Sequence, residues 1–146
     1  MWRAVLDRVV FVLMNMVVMV ILHGNSKQFW PKIPYLSLRD ESTAEHTRLV
    51  FNTLAISTLI QALLGWLPRE RWLPRVLVLG VVPAMLPALM FFGQKVLRLR
   101  GAAAERYNLA MVPLLPIAAI AVEEGLAAQL ALPPETPSSA DYSHLV

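Results

Sequence analysis

The stretch FVLMNMVVMVIL, residues 11–22, decides the class of this protein. It carries no charge and a single polar side chain, Asn15, and the apolar run around it extends from about Ala4 to Leu22. A helix needs roughly 17–25 such residues to cross about 30 Å of hydrocarbon. Asp7 and Arg8 near its start would also suit a cleaved signal peptide. HGNSKQFW follows, however, with no small-residue cleavage site, so a retained helix is expected.

Three further stretches have similar length and character. They run from Leu49 to Leu67, from Val76 to Gly93, and from about Asn108 to a point between Val122 and Leu132. The chain of 146 residues is 57% hydrophobic, with a mean hydropathy of +0.56. Soluble domains are typically about 45–50% apolar. Pro83, Pro87, Pro113 and Pro116 lie inside apolar runs, which transmembrane helices tolerate because neighbouring helices re-satisfy the freed carbonyls. The expectation is an all-α integral membrane four-helix bundle over residues 1–132. The Pro/Ser-rich polar tail 133–146 is expected to lack regular structure.

The connections set the orientation. A polar segment (Gly24–Thr47), a tight turn PRERWLPR and a basic segment QKVLRLRGAAAERY link the four spans. With four crossings, Arg3, Arg8, Arg69, Arg71 and Arg75 share one side. Lys27, Lys32, Arg39, Arg48, Lys95, Arg98, Arg100 and Arg106 share the other. Five cations against eight place the first and third connections in the cytosol and the termini in a lumen or outside. Trp30, Trp66, Trp72 and Tyr107 fall near span ends, where interfacial aromatics belong.

The candidate site opens the second helix. In STAEHTRLVFNTLAIST, residues 42–58, Glu45, Arg48 and Asn52 fall within about 60° of one another on a helix and share a face. A guanidinium fork at the mouth of a helix, with an amide one turn deeper, can receive a carboxylate or zwitterionic ligand. Equally, Glu45 and Arg48 form an i,i+3 ion pair and Asn52 bonds a neighbouring helix. Thr53, Ser57 and Gln61 make a second stripe of the kind that joins membrane helices, and Asn15 reads the same way.

Glu123 and Glu124 are expected where the fourth helix leaves the bilayer, with GLAAQLAL forming a short surface helix; a proton path through them is the rival reading. Lys95, Arg98, Arg100 and Arg106 would meet anionic headgroups or capture an anionic ligand. The cluster is too small, and too close to a span, for nucleic acid.

Soluble-enzyme chemistry finds no signature. There is no G-x-S-x-G, no H-E-x-x-H and no glycine-rich phosphate loop. Cysteine is absent, and His23, His46 and His144 share no ligand spacing, so no metal site is expected.

The layout and the EHTRLVFNTL motif, with Glu45, Arg48 and Asn52, resemble the MAPEG family of membrane proteins in eicosanoid and glutathione metabolism. LMFFGQ followed by RLRGAAAERYNLAMVPLL is similar to that family's aromatic-glycine end of helix three and its basic turn into helix four. The resemblance implies a homotrimer that binds glutathione, or a similar anionic or lipid ligand, through Glu45, Arg48 and Asn52, with a thiolate stabilised near Arg98 or Arg100. If catalytic, such a protein would be a glutathione-dependent transferase or isomerase. The family's glutamate three residues beyond the asparagine is Ala55 here, and VVPAMLPALMFFG lacks the family's arginine, so binding with catalysis lost is equally implied. No catalytic residue is assigned. A reading of a different class makes the chain a non-catalytic accessory subunit of a larger membrane complex, for example a respiratory one. Its proline-bearing helices would then need partners.

Overall fold

A computed structural model describes residues 2–24 and 33–131. Lys27, Trp30, Lys32 and the tail with His144 lie outside the described residues. Four helices follow one another: α1 (Trp2–Gly24), α2 (Thr43–Leu63), α3 (Trp72–Phe91) and α4 (Ala102–Leu130). Each packs on its neighbour in sequence, and α4 returns to α1 to close the bundle. The described residues contain no strand, so the chain is all-α as expected.

The ends of α2 follow local chemistry. Ser42 caps its N-terminus, its hydroxyl accepting from the Glu45 amide at 3.3 Å. The Glu45 carboxylate turns back to accept from the Arg39 amide at 3.0 Å. At the other end Gly65 adopts φ +70°. Its amide donates to the Ala62 carbonyl, and the Trp66 amide donates to the Gln61 carbonyl. This left-handed glycine stop ends α2 at Leu63, four residues before the expected Leu67.

α3 runs unbroken through Pro83 and Pro87, then widens into a π-turn at Phe92–Val96. Tyr107 of α4 lies against this turn and donates to the Leu89 carbonyl at 2.8 Å. A Cβ on Gly93 would stand 2.6 Å from the Tyr107 ring, so the close approach of α3 and α4 requires glycine there. α4 also continues without a break past Val122 to Leu130. The expected exit at Val122 and separate surface helix are therefore replaced by one helix with Glu123 inside the bundle.

The core mixes apolar and polar side chains, and the exterior is rich in large apolar ones. Phe11, Leu54, Val78, Val82 and Ala119 are buried, but so are Asn15, Thr53, Ser57, Thr58, Gln61, Arg75 and Glu123. Meanwhile Val5, Leu13 and Val17 of α1, Leu73, Leu77 and Val81 of α3, and Leu109, Leu114 and Ile117 of α4 face outward. An exterior this apolar is suited to lipid. Three helical segments are long and apolar enough to cross a membrane: Val5–His23, Arg69–Val96 and Ala102–Leu130. α2, expected as the second crossing, is not among them. Asn52, Thr53, Ser57, Thr58 and Gln61 interrupt its apolar run, and four of these five are buried in the bundle.

Candidate functional site

The structure brings Glu45, Arg48 and Asn52 together and shows what they hold. Arg48 bonds the Glu45 carboxylate through Nε at 3.1 Å and through Nη2. Its Nη2 also donates to the Ser37 carbonyl at 2.8 Å, and its Nη1 to the Tyr35 carbonyl. Asn52 Nδ2 lies 3.2 Å from the carbonyls of both Tyr35 and Leu36. The polar face of α2 therefore grips the backbone of the segment that precedes it.

That grip has a physical reason. Tyr35 sits at φ +64°, a left-handed conformation that costs a bulky side chain about 1–2 kcal/mol. Its carbonyl, turned towards α2, is held by both Arg48 and Asn52. The Ser37 hydroxyl accepts from the Ile33 amide at 2.9 Å and closes the same turn. The hydrogen bond from Arg48, outweighing desolvation, holds the Glu45 carboxyl below its ordinary value of 4.5. Hydrogen bonds from Ser42 lower the Asp40 carboxyl in the same way.

Arg98 and Arg100, the other two expected ligand residues, lie between the π-turn and α4 and are exposed. Among the described residues neither has an ion-pair partner, and neither joins the cluster around Arg48. The topology places them at the same end of the bundle, since the first and third connections both lie there. A shallow depression of about 280 Å³ at that end is lined by Ile33, Pro34, Tyr35, Ser37 and Arg39.

A second polar cluster, not expected from the sequence, occupies the opposite end. Arg75, assigned above to the second connection, is instead buried in the first turn of α3. Its Nε donates to Glu123 Oε2 at 2.6 Å, and its Nη1 donates to Gln61 Oε1 at 2.8 Å and Thr58 Oγ1 at 3.4 Å. The guanidinium carbon lies 4.3 Å from the centre of the Phe11 ring. Arg71 reaches the other Glu123 oxygen at 3.4 Å. All four helices thus meet at one guanidinium. Beside it, Arg8 pairs with Glu124 and links α1 to α4. That pair also lines an apolar groove of about 470 Å³ with Val9, Val12, Leu13, Ile117 and Ile120.

Glu123 is therefore a counter-ion flanked by two arginines. Both of its carboxylate oxygens are taken up by guanidinium groups, the arrangement of a structural ion pair. Asn15 donates to the Phe11 carbonyl at 2.8 Å. Its Oδ1, with Thr53 Oγ1 and Ser57 Oγ, has no hydrogen-bond partner among the described residues. Two side chains far apart in the sequence also converge, since the rings of His23 and His46 stand 5.6 Å apart.

The outer face of α3 carries a feature of another kind. Gly80, Ala84 and Ala88 recur at every fourth residue, and all three are exposed beside the exposed Pro87. A Cβ on Gly80 would meet nothing within 4 Å. No family model, curated protein or solved structure matches the chain.

Proposed function

We propose that this protein is a non-catalytic, multi-pass subunit that docks against other membrane helices through the outer face of α3. The observation that carries this reading is the exposed Gly80–Ala84–Ala88 stripe. Small residues four apart let helix backbones approach closely in lipid, where packing and not hydrophobicity drives association. The inward polar groups support it from the other side. Arg48 and Asn52 are engaged by the protein's own backbone, and Arg75 and Glu123 by each other. Removing the buried Arg75 from the charge count leaves four cations against eight, which supports a cytosolic placement for the first and third connections.

The test is the native size of the protein extracted from its own membranes in mild detergent, beside Gly80→Leu. A heteromeric particle that the variant fails to enter supports the accessory role. A stable homotrimer would favour the MAPEG-like arrangement, and a lone 16.3 kDa chain in both cases would end both assemblies.

One observation supports a second reading, capture of glutathione or a similar anionic ligand at the same end as Arg48. Arg98 and Arg100 are exposed and have no ion-pair partner among the described residues. Calorimetric titration with glutathione should then give binding that Arg98→Ala and Arg100→Ala weaken. Arg48→Ala is the poorer probe, because it also releases the Tyr35–Ser37 segment.

A further inference from the structure

We propose that His23, Glu41 and His46 form a binding site for a zinc ion at the corner between α1 and α2. His23 ends α1, Glu41 precedes the α2 cap, and His46 lies in the first turn of α2. One ligand atom from each lies within 4.8 Å of the other two. His46 Nε2 is 3.4 Å from Glu41 Oε2, and His23 Nε2 is 4.0 Å from the same oxygen. Zinc bonds of about 2.0–2.1 Å in a tetrahedral arrangement put neighbouring ligand atoms about 3.3 Å apart. An ion fits between these three atoms with small side-chain shifts.

His46 is placed to bind a metal through Nε2. Its Nδ1 lies 2.9 Å from the Ser42 carbonyl. A carbonyl only accepts, so Nδ1 is the donor there, and in a neutral ring this leaves the lone pair on Nε2, the nitrogen nearer Glu41. Zinc-bound histidines characteristically donate their second nitrogen to a backbone carbonyl in this way. Two imidazoles and one carboxylate suit zinc, whereas magnesium and calcium take mostly oxygen ligands. Three protein ligands leave a fourth position open, and it faces solvent because Glu41 is exposed. The ion would join the end of α1 to the start of α2 on the side away from the Arg75 cluster.

The test uses the full chain without a histidine tag, in detergent, titrated with zinc by calorimetry and with cobalt as a visible-absorption probe. Saturable one-to-one zinc binding and the ligand-field bands of tetrahedral cobalt are expected. His23→Ala and His46→Asn should each weaken binding by more than the roughly 10–100-fold that follows loss of an outer-shell partner. His46→Asn retains a donor for the Ser42 carbonyl while removing Nε2, so α2 keeps its start; unchanged far-ultraviolet circular dichroism verifies this. His144→Ala should leave binding unaltered. Absence of saturable binding, or binding that survives both His23→Ala and His46→Asn, would overturn the site.

Discussion

Arg48 and Arg75 each face a glutamate, yet they do different work at opposite ends of the bundle. Arg48 pairs with Glu45 one turn away on the same helix and spends its remaining donors on the carbonyls of a left-handed turn. It fastens a connection to the helix that follows it. Arg75 pairs with Glu123, 48 residues away, and adds partners from α1 and α2. It fastens the helices to one another. The first cluster is partly wet and the second is dry, and the same chemistry has different energetic consequences in the two settings. A buried ion pair is expensive to break but little better than an apolar replacement, whereas an exposed pair matters mainly through the geometry it holds.

The sharpest way to break the comparison is at the dry end. Glu123→Ala leaves the Arg75 charge buried without its counter-ion, and about 3–5 kcal/mol of stability should be lost, read as a large fall in the thermal midpoint in detergent. At the wet end, Arg48→Ala should cost less, about 1–2 kcal/mol from the charged hydrogen bonds to the Tyr35 and Ser37 carbonyls, because solvent reaches the side chain. Limited proteolysis should then cut near residues 33–38 before the helices unfold. A loss as large as that of Glu123→Ala would mean that the connection is part of the core.

Between the two clusters, Thr53→Val replaces a fully buried hydroxyl that has no partner among the described residues. A gain of about 1 kcal/mol is expected by thermal unfolding, and a loss would mean the hydroxyl is satisfied.

The smallest effect is one of pH. The folded-state pKa of Glu45 is depressed, so its contribution to stability is complete above its ordinary value of 4.5 and is lost as pH falls through the lowered folded value. Asp40 adds to the same acid limb. Glu45→Gln should flatten that limb; an unchanged acid profile would remove the ion pair from the account.

The two regions also differ in how much of them could be read from the sequence. Glu45, Arg48 and Asn52 were legible as one face because helical periodicity aligns residues three, four and seven apart. What they grip was not, because a loop carbonyl carries no residue-type signal. Arg75 and Glu123 look unrelated in a linear chain. They meet only once the antiparallel pairing of α3 with α4 is known, and the available clue was a pair of opposite charges at the ends of apolar runs. His23 and His46 converge for the same reason, since they lie on two helices whose pairing the sequence does not state. The inward polarity of α2 was visible as the Thr53–Ser57–Gln61 stripe, but α2 is not among the helices apolar enough to span: it stops at Leu63, so any 18-residue stretch of it also takes in His46 and Arg48. Gly65 carried a signal that the Leu49–Leu67 span passed over, since glycine is the residue that most readily takes the left-handed position just past a helix end.

The most direct test of the claim that Arg75 and Glu123 act as one internal fastener is a double-mutant cycle. Thermal stability in detergent would be measured for the natural protein, Arg75→Met, Glu123→Leu and the double variant. The account predicts that each single change destabilises strongly and that the double variant is more stable than either, because no uncompensated charge remains buried. Additive losses would show that the two side chains act independently and would contradict it.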